Sequence, residues 1–244
     1  MDVLRNKLEQ ALGKSVGEIR GRAVGGGCIN DAQVLEVDGV RYFFKSNARP
    51  LPRQFEAEAM GLRSLRDSGT SLVIPAPLAW ADGDDGRFLV TEYLEPGRRV
   101  SDFEERLGVG LAELHERASE DGFGFEVDGY CGATPQPNGW MKSWNDFYGE
   151  RRLGHQLRLA RDRGMASGTC ERLERLIGRL DEWIAEPERS SLIHGDLWSG
   201  NLHVAPDGRP ALIDPAAYFG HPEAELGLMA LFGGFAPRVW QSYA

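Results

Sequence analysis

The chain has 244 residues, 41% of them hydrophobic, which is enough for one large domain or for two small lobes with separate cores. Its net charge of −9 argues against a nucleic-acid or anionic-membrane partner, because both are bound mainly through an excess of Lys and Arg. No apolar run approaches the roughly 20 residues that cross a bilayer, and the N-terminal pattern lacks a signal-peptide core, so we expect a cytoplasmic protein.

The three cysteines, Cys28, Cys131 and Cys170, are far apart in the sequence. Because they have no C-x-x-C spacing, they predict neither a disulfide framework nor a zinc site. Their odd number is typical of a reducing compartment.

The first part of the chain has the pattern of an antiparallel sheet. Strand-like segments cover 19–24, 31–37 and 40–46. Asp38 and Gly39, between the last two segments, are a strong signal for a two-residue hairpin turn.

A glycine-rich loop, residues 25–30, separates the first two predicted strands. Glycines let the backbone approach a ligand closely, and their N–H groups can point at phosphate oxygens. On this segment alone a flexible turn is an equally good interpretation. The nucleotide-binding candidates here are Gly25, Gly26, Gly27 and Cys28.

Lys45 lies on the third predicted strand, on the same face as Phe43, and could reach nucleotide phosphates under the glycine-rich loop. A helix is predicted for 53–65, with its buried face formed by the positions i, i+4 and i+7 from Phe55. Helical geometry places Glu58 at the edge of that face, so Glu58 is the predicted ion-pair partner of Lys45. The plain alternative is that both side chains are solvated.

Two further strands follow, and the second, beginning at Arg87, runs into Pro96-Gly97, where regular structure should end. Such a strand leads into the linker between two lobes in a kinase-like fold. We therefore assign Glu92, Tyr93 and Leu94 to a linker whose backbone binds adenine.

The second half of the chain is mostly helical by its periodicity. Ser101 to Glu104 has the pattern of a capping box that opens a helix. Another helix is predicted for 140–163, and a third begins at Thr169 and carries an apolar stripe to Ile184. We expect these stripes to form core.

The sequence His194-Gly-Asp-Leu-Trp-Ser-Gly-Asn201, followed by a short apolar run to Asp214, has the spacing of a phosphoryl-transfer site. Such a site needs a carboxylate to accept a proton from a substrate hydroxyl, and oxygen ligands for Mg²⁺ on the ATP phosphates. Asp196 is the candidate base, and Asn201 and Asp214 are the candidate metal ligands. A turn rich in Asp and Asn without function is the alternative.

Two neighbours of the candidate base have less certain roles. His194 is expected to hold the loop through backbone hydrogen bonds. Trp198 could form a platform for the apolar face of a sugar, although a packing role is equally compatible with its position.

HGDLWSGN, followed by IDPAAYFGHPEAEL, resembles the fructosamine kinase (ketosamine-3-kinase) family of the protein-kinase-like superfold. The segments GGGCIN, FEAEAMGLRSL, TPQPNGWMKSWNDFYGERRL and LFGGF resemble the same family. The resemblance implies an α+β, bilobal protein-kinase-like fold, with a small antiparallel β-sheet N-lobe over 1–95 and a mainly helical C-lobe over 96–244.

By the same resemblance, the reaction would be transfer of the γ-phosphoryl group of ATP to the 3-hydroxyl of a small-molecule or protein-bound ketosamine such as a ribulosamine, erythrulosamine or fructosamine. The unstable product would release the amine, which implies a role in deglycation. Asp196 matches the family's base, Asn201 and Asp214 its Mg²⁺ ligands, Lys45 its phosphate-binding lysine, and Glu225 a carboxylate that braces the C-lobe.

Two other function classes stay open. A phosphotransferase of the aminoglycoside or choline kinase type shares the H-G-D and I-D skeleton but would need a different acceptor pocket. A nucleotide-binding, redox-responsive module without activity is the second, although Lys45, Asp196, Asn201 and Asp214 are all present.

Members of this family usually continue with several helices after the LFGGF segment, whereas this sequence ends at Ala244. Without such helices, some apolar residues are expected to lack a cover, with instability or dimerisation as the result. These residues are Leu226, Met229, Leu231 and Phe232.

Cys28 supports a regulatory hypothesis. Backbone N–H groups of the glycine-rich loop and the nearby Lys45 could lower its thiol pKa and make it reactive. The protein would then be a monomer or a homodimer linked through Cys28. The alternative is a small residue that fits the turn.

Overall fold

The computed structural model describes residues 2–24, 31–49 and 51–244. Helix α1, Asp2–Leu12, precedes a five-stranded antiparallel sheet with the strand order β1-β2-β3-β5-β4. Helix α2, Gln54–Arg66, is inserted between β3 and β4. The strands are β1 Ile19–Ala23, β2 Asp31–Val37, β3 Val40–Ser46, β4 Pro77–Gly83 and β5 Gly86–Glu92.

The hairpin between β2 and β3 turns at Asp38 and Gly39, which both have positive φ angles, 52° and 77°. These angles are those of a type I′ turn, so the sequence prediction is confirmed. The register that the turn imposes pairs Val37 with Val40 and places Lys45 opposite Ala32 on one side and Leu89 on the other.

Helix α2 packs its apolar face into the largest core cluster, in which Phe55, Ala59 and Leu62 are no more than 1% exposed. Its first turn is capped from the sheet. The two carboxylate oxygens of Asp82, on β4, accept hydrogen bonds from the backbone N–H groups of Phe55 and Glu56, each at 2.9 Å. This long-range cap fixes the start of α2 relative to the sheet.

The rest of the chain is mainly helical, with three small strand pairs. Strands β6 and β7 form a hairpin, β9 and β10 form a second, and β8 pairs with β11 in antiparallel fashion. The elements are α3 Phe103–His115, β6 Gly129–Cys131, β7 Thr134–Gln136, α4 Trp144–Phe147, a π-helical segment Tyr148–Gly154, α5 His155–Asp162, α6 Ser167–Ile177, β8 Ser191–Ile193, β9 Leu202–Val204, β10 Pro210–Leu212, β11 Tyr218–Gly220, α7 Pro222–Phe232 and α8 Pro237–Tyr243.

Helix α3 lies at the centre of this helical part. Its predicted apolar face is confirmed, since Leu107, Leu111 and Leu114 are at most 1% exposed. Helix α8 packs directly on α3 beside Gly108, where an added Cβ would lie only 2.3 Å from the carbonyl oxygen of Val239. The absence of a side chain at this position therefore permits the close helix approach.

Two predicted helix starts are wrong. The N-cap of α3 is Asp102 rather than Ser101, and its carboxylate pairs with Arg106 instead of capping. The helix predicted from Trp140 starts only at Trp144, because Met141 forms two backbone hydrogen bonds with Phe123 and is thereby held in an extended bridge.

The apolar stripe predicted after Thr169 is core only in part. Of its predicted residues Leu180 is buried, whereas Leu176 is 44% and Trp183 70% exposed. The residues after 177 leave the α-helix for a turn, so the helical projection of the sequence no longer describes which side chains share a face.

The four residues of helix α7 that were expected to lack a cover differ in how deeply they are buried. Met229 is fully buried in the main core and Leu226 packs against it, so the expectation was wrong for these two. Leu231 and Phe232 are 78% and 63% exposed. In the part of the chain that the structure describes, no helix has the length and apolar character to cross a membrane.

The buried face of α3 gives a stability prediction. We expect Leu111→Ala to lower the free energy of unfolding by about 2–5 kcal/mol, because it leaves a cavity in the core. Val109→Ala is the control on the same helix, since Val109 is 42% exposed, and should change it by less than about 0.5 kcal/mol. Urea unfolding followed by circular dichroism measures both, and equal losses would contradict the assigned core.

Candidate active site

A buried lysine joins the sheet, α2 and the segment after β10. The ammonium of Lys45, a residue only 5% exposed, forms an ion pair with Oε1 of Glu58 and a second one, at 3.0 Å, with Oδ1 of Asp214. The sequence prediction that Glu58 rather than Glu56 faces Lys45 is confirmed, since Glu56 instead pairs with Arg53.

The pKa values of Lys45, Glu58 and Asp214 are shifted by the burial of each group and by the charges of the other two. Burial lowers the pKa of Lys45, but the two carboxylates outweigh it and the pKa is raised, so the lysine stays charged. Burial raises the pKa of Glu58 to about 7 against the opposing effect of Lys45. Lys45 lowers the pKa of Asp214, which is therefore the ionised partner.

The loop that carries the candidate base begins with a buried histidine. His194 is 0% exposed, its Nε2 donates to the carbonyl oxygen of Ile213 at 2.9 Å, and its Nδ1 accepts from the N–H of Asp196 at 3.4 Å. Burial lowers the pKa of His194, consistent with a neutral ring that donates once and accepts once. The predicted structural role of His194 is confirmed.

Asp196 and Asn201 are held together. Nδ2 of Asn201 donates to the backbone oxygen of Asp196 at 2.8 Å and lies 3.3 Å from its Oδ2. Burial raises the pKa of Asp196, with smaller opposing effects from His194 and Asn201. The carboxylate is thus a partly desolvated proton acceptor in a fixed orientation.

Asp214 lies next to Asn201 because of the β9–β10 hairpin. The N–H of Ile213 donates to the carbonyl oxygen of Asn201 at 3.1 Å, and Asp214 follows with a positive φ of 55°. With this strained backbone, the Asp214 carboxylate contacts Lys45 and the Asp214 carbonyl oxygen lies 3.5 Å from Nδ2 of Asn201.

Asn201 and Asp214 each have a side-chain oxygen that suits a hard cation such as Mg²⁺. The amide nitrogen of Asn201 is used by Asp196, whereas its Oδ1 accepts no hydrogen bond from the residues that the structure describes, and Asp214 contacts Lys45 through Oδ1 alone. Two oxygen ligands from the protein are what Mg²⁺ usually takes when phosphates and water complete its shell. Among residues 2–24, 31–49 and 51–244, no cluster of three His, Cys, Asp or Glu side chains could hold a metal alone.

The buried carboxylate of Glu225 holds the loop 194–201, which carries the candidate base. Oε1 of Glu225 accepts from the N–H of Gly195 at 2.8 Å, and Oε2 lies 2.9 Å from Nε2 of His115. Nδ1 of His115 in turn lies 2.8 Å from the hydroxyl of Tyr243. Burial raises the pKa of Glu225, but His115, His194 and the Gly195 N–H outweigh it and the pKa is lowered.

Two adjoining cavities meet at Lys45, Glu58 and Asp214. The smaller, about 130 Å³, is lined by the predicted linker residues Glu92, Tyr93 and Leu94. The larger, about 280 Å³, contains Asp196, Asn201 and Trp198. Trp198 is 42% exposed, and its ring lies over Gly200, where an added Cβ would be 2.2 Å from the indole.

The β6–β7 hairpin forms the far wall of the larger cavity, and sequence reasoning missed it. Tyr130 lines the cavity, and Sγ of the exposed Cys131 lies 4.0 Å from Oδ1 of Asp196. Burial and the Asp196 charge raise the pKa of Cys131. The sequence holds no spacing signal for this contact, because the two residues are 65 positions apart.

A model of the fructosamine kinase family matches residues 1–244. The chain belongs to the fructosamine kinase family. It is 41% identical over 229 residues to a protein-ribulosamine 3-kinase from Oryza sativa subsp. indica, and 38% identical over 226 residues to one from Arabidopsis thaliana. Each match covers 91% of this chain, and the chain spans 65% of the rice protein and 68% of the Arabidopsis protein.

A solved structure from Thermobifida fusca that bears the name of a fructosamine-3-kinase has a TM-score of 0.84 and 32% identity to this family member. The match covers 100% of this chain and 83% of that one. Together with the antiparallel sheet and the helical part, it confirms the predicted α+β, protein-kinase-like fold. The predictions for Gly25, Gly26, Gly27 and Cys28 lie outside the described residues.

The brace at Glu225 gives a second stability prediction. Glu225→Gln keeps the size of the side chain but removes the buried negative charge. Its amide keeps both contacts only with its oxygen on the Gly195 N–H and its nitrogen donating to an unprotonated Nε2 of His115, and the charge-assisted character of both contacts is lost. We expect unfolding to become easier by about 1–3 kcal/mol. Glu223→Gln, at an exposed position on the same helix, should be nearly neutral; thermal denaturation compares the two, and an equal response would refute the brace.

Proposed function

We propose that this chain transfers the γ-phosphoryl group of ATP to the 3-hydroxyl of a ketosamine and thereby acts in deglycation. One observation carries the proposal: the candidate base, the two candidate metal ligands and a buried lysine converge on one cavity in a member of the fructosamine kinase family. The names of the rice and Arabidopsis relatives support the acceptor class.

In this proposal Asp196 accepts the proton of the attacking hydroxyl. Its orientation is set by Asn201, and its desolvation raises its pKa and so makes it a better base than a solvated aspartate. Because the carboxylate must be ionised, activity should fall as the pH falls through this raised pKa.

Nucleotide binding is assigned to both lobes, 1–95 and 96–244. Lys45 contacts the phosphates, and Glu58 keeps its side chain directed into the cavity. The backbone of Glu92, Tyr93 and Leu94 binds adenine in the smaller cavity. The glycine-rich loop joins β1 to β2, so Gly25, Gly26, Gly27 and Cys28 belong to the proposed phosphate site by their place in the sequence.

Asn201 and Asp214 are the residues that would hold Mg²⁺, which when bound neutralises charge on the ATP phosphates. Both side chains retain an oxygen for it. Trp198, half exposed in the larger cavity beyond Asp196, is placed to pack on the apolar face of the sugar.

An acceptor screen tests the proposed activity. ATP consumption should be measured with ribulose-lysine, erythrulose-lysine and fructose-lysine beside kanamycin and choline, under reducing conditions. We expect turnover only with the ketosamines. Turnover of kanamycin or choline alone would replace the proposal with the other phosphotransferase class, and no turnover with any acceptor would support a nucleotide-binding module.

Asp196→Asn should lower kcat by about 10²–10⁴-fold while ATP still binds, because the amide cannot take the proton but occupies the same space. Asp207→Asn is the matched control, in the exposed turn between β9 and β10, and should retain full activity. Steady-state kinetics with ATP titration measures both effects. Wild-type kcat in Asp196→Asn would refute the assignment of the base.

The metal assignment is tested by binding rather than turnover. Asp214→Asn should weaken binding of Mn²⁺ in the presence of an ATP analogue by about tenfold or more, because a charged oxygen ligand is replaced by a neutral amide. Electron paramagnetic resonance of free Mn²⁺ measures this, with Asp207→Asn again as the control. Unchanged Mn²⁺ affinity would contradict the role of Asp214.

A further inference from the structure

A buried arginine lies behind the wall of the larger cavity. Arg152, in the π-helical segment, is only 9% exposed, and its guanidinium stacks on the rings of Tyr218 and Phe147 at 4.2 and 4.7 Å from their centroids. Within the described part of the chain, no carboxylate lies within 4.0 Å of it, and its Nε has no partner. Burial of an uncompensated charge disfavours folding, so stability alone does not account for this arrangement.

The guanidinium fixes an amide. Nη2 of Arg152 donates to Oδ1 of Asn138 at 2.7 Å, and Nη1 donates to the carbonyl oxygen of Pro137 at 2.7 Å. Since a guanidinium has only donors, the Asn138 atom that faces it must be the oxygen. The amide nitrogen is therefore directed away from Arg152 and donates to the carbonyl oxygen of Val127 at 2.9 Å.

This oriented amide belongs to the acceptor side of the site. Asn138 lines the larger cavity together with Val127 and Asp196, and it is 2% exposed. An amide nitrogen carries two hydrogens, of which Val127 accepts one, and among the described residues no second acceptor is bonded to it, so one N–H donor is left there. An added Cβ at Gly129, which also lines the cavity, would lie 3.4 Å from this nitrogen, so the glycine keeps the approach open.

We propose that Asn138 donates this N–H to an oxygen of the sugar part of the acceptor, and that Arg152 is a positioning residue that keeps the amide in the donating orientation. The inference rests on the proposed function and deepens it. A ketose chain offers carbonyl and hydroxyl oxygens that can accept a hydrogen bond from the buried N–H of Asn138. A substrate without an oxygen at this position would leave the N–H unpaired and would therefore bind less well.

The decisive variant is Asn138→Asp. The carboxylate still accepts from Arg152, now as an ion pair, but it has no N–H to donate. Asn138→Ser removes the amide without adding a charge. We expect both to lower kcat/KM for the ketosamine by about tenfold to a hundredfold while KM for ATP stays within about twofold of wild type. An unchanged KM for ATP also shows that the variant is folded.

Arg152→Met tests the positioning role, with Arg151→Met as the matched control, because Arg151 pairs with Glu150 and does not line the cavity. Arg152→Met should raise KM for the ketosamine, and Arg152→Lys should not restore it, since an ammonium cannot hold Asn138 and stack on the rings at once. If Arg151→Met causes the same rise, the positioning role is refuted.

Wild-type turnover separates the two hypotheses. If the wild-type protein turns over no ketosamine, the proposed function fails and this inference fails with it. If the wild type is active and both Asn138 variants keep its kcat/KM for the ketosamine, this inference alone is overturned. A comparable rise of KM for ATP in the variants would also overturn it, because the effect would then not be confined to the acceptor.

Discussion

The structure depends on one buried cation. Lys45 brings together three segments, β3, α2 and the segment after β10, and its two partners differ in their exposure to solvent. Glu58 is buried with Lys45, whereas Asp214, 169 positions away, is half exposed, and its backbone oxygen lies 3.5 Å from Nδ2 of Asn201. Removing the partners of a desolvated ammonium is costly, so the two ion pairs together fix how the sheet faces the helical part in this structure.

The loop 194–201, which carries the candidate base, is likewise held by buried polar groups that are hydrogen-bonded to specific partners. Asp214, with a φ of 55°, adopts a backbone conformation that its surroundings have to maintain, whereas the φ of 80° at Gly195 is one that glycine adopts readily. His194 holds Ile213 on one side, and Glu225 holds Gly195 on the other. Asp196, contacted by His194 and Asn201, is therefore oriented without a substrate, as a candidate general base needs to be.

Local periodicity predicted much of this arrangement from the sequence. The β2–β3 turn, the buried face of α2 and the choice of Glu58 over Glu56 all follow from residues within a few positions of one another. Features that join distant segments were not predictable in this way. Three features depend on contacts that only the folded chain creates. They are the Asp82 cap on α2, the bridge of Met141 with Phe123, because of which α4 starts only at Trp144, and the orientation of Asn138 by Arg152.

The cap on α2 bears on how the sheet can move relative to the helical part. Asp82 holds the first turn of α2, and Glu58 on that helix holds Lys45, so sliding α2 along the sheet would break both contacts. The sheet and α2 should therefore travel as one rigid body. The contact between this body and the helical part that is most accessible to solvent is then the half-exposed ion pair between Lys45 and Asp214. A change in how the two parts face each other would separate these two side chains first, while Lys45 keeps its buried partner Glu58.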